Sequence, residues 1–168
     1  GLPRKTVASH FDLLEDLLMG LRLPSFRRRA ARKLTVHPKF FYFDAGVYRT
    51  LRPRGPLDSA EEIDGAAWKS LVLQTVRAED ANQELGYQLG FWRTPEGIEV
   101  DLVAYGERGL HAIEVKRTAN PGYGDAVGLR AFLAEYPQAA SGLLLHTGRE
   151  IRRLDEKIIA APWTMVAG

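Results

Sequence analysis

The sequence predicts an α/β fold in which a mixed sheet is flanked by helices, and three observations carry that prediction. Residues 98–105 and 110–116 both alternate with the period of two that marks strands, and Gly106, Glu107, Arg108 and Gly109 between them can close a hairpin. Segments of helical periodicity lie on either side in the chain: Trp68, Leu71, Val72 and Val76 before the strands, Leu129, Phe132, Leu133 and Tyr136 after them. Residues 142–146 then form a short apolar run suited to a strand buried on both faces. The order helix, three strands, helix, strand gives a mixed sheet with helices packed against it.

Taken from the amino terminus, Thr6 can cap a helix in which Val7, Phe11, Leu14 and Leu18 line one side and Gly20 is the stop. Residues 21–24 and 39–43 read as strands flanking a basic loop, and Asp44 to Tyr48 as a short helical turn. Residues 51–57 hold Pro53, Gly55 and Pro56 and form the best linker. The next helix starts near Ser59 or Gly65 and ends near Ala78. A strand over 87–92 and a tight turn over 94–97 lead into the strand at 98–105. Strict alternation there puts Glu99 and Asp101 on one face, with Ile98, Val100, Leu102 and Ala104 on the other. Glu114 and Lys116 share a face of the following strand. An Asn-Pro-Gly loop then enters a helix over 125–136, and residues 157–160 add a last strand after 142–146.

Hydrophobic residues make up 45% of the chain and charged residues 26%, the balance of a soluble globular protein. No apolar run approaches the ~20 residues of a membrane span, so no membrane partner is expected. Without cysteine there is neither a disulfide framework nor a Cys-based zinc site, and the opening residues lack the apolar core of a signal peptide, which fits a cytoplasmic setting. A chain that begins with glycine is expected to be a piece of something longer. The net charge of +2 hides an asymmetry: residues 1–60 carry 12 Lys or Arg against 5 Asp or Glu, thus +7, and residues 61–168 carry 11 against 16, thus −5. The cluster Arg27, Arg28, Arg29, Arg32 and Lys33 is built to neutralise phosphates, or else to meet solvent or an acidic partner domain.

Carboxylates and a lysine inside strand patterns are the strongest chemical signal, because strands are depleted in such residues. If the hairpin closes, Asp101 and Glu114 converge with Lys116 beside them. Hard divalent cations such as Mg or Mn take oxygen ligands, and two close carboxylates repel unless a cation sits between them. Such an ion polarises a phosphoryl oxygen, and a lysine can neutralise charge in the transition state, which is phosphodiester chemistry. The same residues also fit an ordinary cross-strand salt bridge of Asp101 or Glu114 with Lys116 or Arg93. The glycine-rich stretch 122–128 lacks dinucleotide-binding spacing and reads as a loop. No phosphate-binding Gly-x-x-x-x-Gly-Lys-Ser/Thr motif is present, so any ATP site is expected outside this sequence. His10, His37, His111 and His146 are scattered, and Trp68, Trp92 and Trp163 are expected in the core or at an interface.

Residues 39–46 (KFFYFDAG), 65–72 (GAAWKSLV), 91–94 (FWRT), 98–101 (IEVD) and 113–116 (IEVK), in that order, resemble one family pattern. It is the C-terminal domain of unknown function that follows the ATPase module in a group of prokaryotic AAA+ ATPases, with a fold similar to the PD-(D/E)XK nucleases. The resemblance implies a restriction-endonuclease-like domain over 51–168, preceded over 1–50 by a partial winged-helix segment with its basic arm. It makes Asp101 and Glu114 metal ligands, with Val115 offering its backbone carbonyl and Lys116 as the catalytic lysine. It also places Arg27 to Lys33 in the wing, where winged helices often touch DNA. The implied function is a nuclease-like domain that binds nucleic acid or mediates assembly beside the ATPase module of the same parent chain. A Mg- or Mn-dependent DNA endonuclease and a protein-interaction module are the alternatives. One departure bears on activity: Lys69 follows Trp68 where the family usually places a Glu.

Overall fold

The computed structural model describes residues 1, 3–27, 37–52 and 55–167. Its main sheet has six strands in the order β3-β4-β5-β6-β8-β7, where β3 is Gln88–Arg93, β4 Glu99–Gly106, β5 Gly109–Lys116, β6 Ser141–His146, β7 Arg152–Arg153 and β8 Ile158–Pro162. The strands β3, β4 and β5 form an antiparallel meander. β5, β6 and β8 then run parallel, and β7 closes the far edge antiparallel to β8. The expected mixed sheet flanked by helices is what the chain forms.

One helix lies on each face. Helix α3, Ala60–Asn82, begins at Ser59, whose side chain accepts from the Glu62 N–H while Glu62 reaches back to the Ser59 N–H. This capping box selects Ser59 over Gly65 as the start. The helix runs to Asn82, one turn past the expected end. Its core-facing residues include Val72 and Leu73, whereas Leu71 is exposed. They pack with Leu102, Ile113 and Val115 on one face of the sheet. On the other face lies α4, Val127–Glu135, entered through a 3-10 turn at Tyr123–Ala126, and its Leu129 and Phe132 bury against Val100, Val103 and Leu144. Helix α4 connects β5 to β6. Its Gly128 packs so closely on β4 that a Cβ there would overlap the Glu99 carbonyl oxygen.

The amino-terminal part contains α1 (Arg4–Asp16), a two-stranded antiparallel sheet of β1 (Gly20–Leu23) and β2 (Lys39–Tyr42), and α2 (Ala45–Leu51). Helix α1 starts two residues before Thr6, with Pro3 at its cap position, and Phe11 packs on Phe40 of β2. Asp44 caps α2 by accepting from the Gly46 and Val47 N–H groups. The segment after β1 covers the open edge of β3: the Phe91 N–H donates to the Pro24 carbonyl, and the Phe26 N–H donates to the Phe91 carbonyl. Leu23 is buried in the α3-side core and Phe26 packs on the α4 side, so this part is fastened to both layers. Two short elements lay beyond the sequence reading: β7, and a 3-10 turn at Trp163–Val166 that stacks Trp163 edge-on against Trp68.

Candidate functional site

The expected alternation along β4 breaks at Asp101. Gly90 pairs with Val103 and Trp92 with Val100, so two steps along β3 match three along β4. That extra residue is a β-bulge, a device that re-aims a side chain. Val100 and Val103 both face α4, while Leu102 joins the α3-side core and Ala104 lines the same side. The strict pattern, which set Leu102 and Ala104 on the face of Val100, is therefore corrected. Asp101 is turned towards α3 at the point where the regular pairing of β4 with β5 stops, at Leu102 and Ile113. Its Oδ2 accepts the Val115 backbone N–H at 3.0 Å, in place of a ladder partner. Its Oδ1 accepts from the Lys69 ammonium at 2.5 Å.

Lys69 reaches Asp101 because it stands on the sheet-facing stripe of α3, three, four and seven residues before Val72, Leu73 and Val76. Burial works to lower the pKa of its ammonium. The Asp101 charge and hydrogen bond, helped by Glu114 and Glu99, outweigh burial and hold the group above the ordinary lysine value.

Glu114 lies on β5, buried among the same groups. Its Oε1 pairs with the Lys116 ammonium at 3.0 Å, and its Oε2 is buried with no hydrogen-bond partner. Desolvation, reinforced by the Asp101 charge, pushes the Glu114 carboxyl up to about 7, with Lys116 and Lys69 pulling the other way. The two acids thus lie close enough to affect each other, as the hairpin predicted, but each is bonded to its own lysine. Arg93 pairs with Glu99 at 3.8 Å and not with either acid of the site, and Lys39 also pairs with Glu99. Asp64, near the start of α3, holds Arg49 at 2.6 Å and Arg117 at 3.3 Å. Among the described residues six cations therefore surround four carboxylates over β2, α2, α3, β4 and the ends of β3 and β5.

Hard oxygen donors are present for a divalent cation, yet the Asp101 oxygen that would meet it carries the Lys69 ammonium. Among the described residues no group of three or more His, Cys, Asp or Glu side chains converges as a metal site. With Lys69 in place, Asp101 Oδ1 is occupied by an ammonium, and Glu114 Oε2 is the carboxylate oxygen of the pair left without a hydrogen-bond partner. The Val115 N–H is committed to Asp101. In the sequence Lys69 is a departure from the family pattern, and nothing there names it as a direct partner of Asp101. Its i, i+3, i+4, i+7 relation to buried apolar residues was the available signal. In the basic arm, the Arg27 Nε donates to the Ser25 hydroxyl at 3.3 Å, while Arg28, Arg29, Arg32 and Lys33 lie outside the described residues. A cavity of about 350 Å³ at the other end of α3, lined by Val76, Leu89, Ile113 and Val166 among others, includes none of the site's charged groups. Among the described residues no helix is long and apolar enough to cross a membrane.

A fold with two acids on neighbouring strands and a lysine beside each defines a class of α/β domain rather than an activity. Residues 64–166 match the domain of unknown function DUF4143, and the chain belongs to that family. It is 26% identical over 160 residues to the uncharacterized protein Mb2031c of Mycobacterium bovis, and equally to the uncharacterized protein Rv2008c of Mycobacterium tuberculosis. Each alignment covers 94% of this chain and 34% of the relative, so the chain spans about a third of the length of these proteins. No solved structure matches it.

Proposed function

We propose that this chain is a nuclease-like domain that binds nucleic acid without cleaving it, as the C-terminal part of a prokaryotic AAA+ ATPase. The order α3, β3, β4, β5, α4, β6, with the acids on β4 and β5, supports the PD-(D/E)XK-like reading. The observation that carries the absence of cleavage is the Lys69 ammonium on Asp101. A fixed cation offsets the carboxylate charge there, and unlike a metal ion it has no open coordination position for a phosphate oxygen or a water. The basic arm Arg27, Arg28, Arg29, Arg32 and Lys33 supports phosphate binding, and its neighbour Phe26 anchors it on β3. In the winged-helix reading of residues 1–50, α1 and the β1-β2 hairpin are the remnant that presents this arm.

A metal-dependent DNA endonuclease is the second reading, favoured by the buried, unpartnered Glu114 Oε2. It requires Lys69 to leave Asp101, so that Asp101, Glu114 and the Val115 carbonyl hold Mg or Mn beside Lys116. Incubating the chain with branched, duplex and single-stranded DNA plus Mg²⁺ or Mn²⁺ separates the two. Binding with no cutting is expected. Metal-dependent cutting that disappears in Asp101→Ala and Glu114→Ala would establish the endonuclease instead. Neutralising the five arm cations is expected to weaken DNA binding and flatten its salt dependence. An unchanged salt slope would replace nucleic acid with a protein partner and make the domain an interaction module.

A further inference from the structure

The glycine-rich loop that follows β5 holds an aromatic ring in the open. Tyr123 is 66% exposed, although the segment around it is firmly tied. Asp125 accepts the Gly122 N–H at 2.8 Å, the Thr147 N–H donates to the Thr118 carbonyl at 2.9 Å, and Pro121 is buried. Beneath the ring lies Arg130 of α4, its guanidinium carbon 3.6 Å from the ring centroid and its Nη2 donating to the Tyr123 carbonyl at 2.7 Å. One face of the ring is thus occupied by a cation whose position is fixed by the helix. No carboxylate pairs with Arg130 among the described residues, and its Nη1 is buried without a hydrogen-bond partner. On both sides of the tyrosine, at Gly122 and Gly124, a Cβ would meet nothing within 4 Å, so the backbone flanking it is uncrowded.

The place of this ring in the fold matters as much as its exposure. β5 and β6 are parallel and α4 crosses between them, so Lys116 at the end of β5, and Arg117, Tyr123 and Arg149 in the connections that follow, lie towards the carboxyl ends of these two strands. That end of a parallel sheet is where α/β folds bind ligands. Around the loop Lys116 is paired with Glu114, Arg117 with Asp64 and Arg152 with Glu150, and Asp155 and Glu156 share a pocket with Arg130, so Arg130 under the ring and Arg149 are the nearby cations without a carboxylate partner among the described residues. An exposed aromatic platform backed by a cation, with Arg149 beside it, has the chemistry that receives an unstacked base while a neighbouring phosphate meets a positive charge. A duplex, with its bases stacked inside, offers no ring face to Tyr123. Because the loop is already ordered, little conformational freedom is lost on contact.

We infer that Tyr123, backed by Arg130, is a base-stacking platform for single-stranded nucleic acid at the carboxyl ends of β5 and β6. The inference rests on the nucleic-acid-binding reading and specifies its substrate class. The test measures binding of the full chain by fluorescence anisotropy to a labelled single-stranded oligothymidine, an abasic strand of the same length and a duplex, with Tyr123→Ala and Tyr123→Phe alongside wild type. Tyr123→Ala is expected to weaken oligothymidine binding on the order of 10- to 100-fold and to leave abasic-strand and duplex binding unchanged, while Tyr123→Phe retains most of the affinity. Oligothymidine binding by Tyr123→Ala that equals that of wild type overturns the platform and leaves nucleic-acid binding standing. Equal weakening towards the abasic strand overturns it too, because the contact would then be with the backbone. Wild type that binds none of the three overturns both the platform and the reading beneath it.

Discussion

Replacing Glu114 with Gln should change how the stability of this domain depends on pH, and the structure sets the size of the change. In the folded chain the Glu114 carboxyl titrates at about 7, against an ordinary value of 4.5, because burial and the neighbouring Asp101 disfavour its charge. A carboxyl whose folded pKa lies above its unfolded one holds more protons in the native state between the two values, so stability falls as pH rises through that window. Charging Glu114 therefore costs the wild type on the order of 3 kcal/mol between pH ~4.5 and pH ~7, since each tenfold change in the equilibrium is worth about 1.4 kcal/mol. The side chain is only 7% exposed, so solvent screening gives little relief. The Gln variant carries no charge to bury. Urea unfolding of both proteins from pH 4 to pH 8.5 reports Glu114 together with the neighbours it is coupled to, because titrations remote from the site are common to the two curves. The stability of Glu114→Gln relative to wild type should climb by roughly 2 to 3 kcal/mol from the acid to the neutral end and then level off. The Lys116 contact favours the charged carboxylate and is already contained in that value of about 7. Parallel curves, or a difference that falls with pH, would refute the argument that this carboxylate is held at a cost.

Two further substitutions probe the same region. Lys69→Met leaves Asp101 with only the Val115 N–H; the pair is intermediate between surface and buried, with side chains 38% and 8% exposed, so a loss of about 2 kcal/mol is expected in urea unfolding at pH 7. Because the Lys69 pKa is raised, this contribution should persist through neutral pH and fade only as pH climbs through the alkaline lysine range. Gly128→Ala should lower the melting temperature through a loss of about 1 to 3 kcal/mol, since α4 must move off the Glu99 carbonyl to make room. An alanine variant as stable as wild type would mean that the close approach of α4 to β4 carries no packing role.

The candidate site shows where sequence patterns stop being informative. Asp101, Glu114 and Lys116 stood out because charged residues in strands demand an explanation, and all three belong to one electrostatic cluster. Their partners did not stand out. The bulge in β4 arises only when β3 is laid beside it, so the side to which Leu102 and Ala104 turn could not be read from β4 alone. Ser59 and Gly65 were equal starts for α3 until the Glu62 side chain was seen to close the box. Leu71 fitted the helical stripe but lies outside the contact that α3 makes with the sheet. The Trp163–Val166 turn has no periodicity of its own, and its Trp163 rests edge-on against Trp68.

By itself the sequence determined what depends on neighbours in the chain. The period-two and period-3.6 patterns, the hairpin glycines and the apolar run at 142–146 were sufficient for the element order and the mixed sheet, because local backbone preference and burial of one face act on short stretches. The charge asymmetry was legible for the same reason: it is a property of composition. Only the tertiary structure decided what the charged strands do. Asp101 faces Lys69 across 32 positions of sequence because a bulge turns one residue of β4 and a helix packs above it. Whether a carboxylate meets an ammonium, a metal ion or water is set by distances of a few ångströms between elements remote in sequence, and Coulomb energy in a buried site changes steeply over that range.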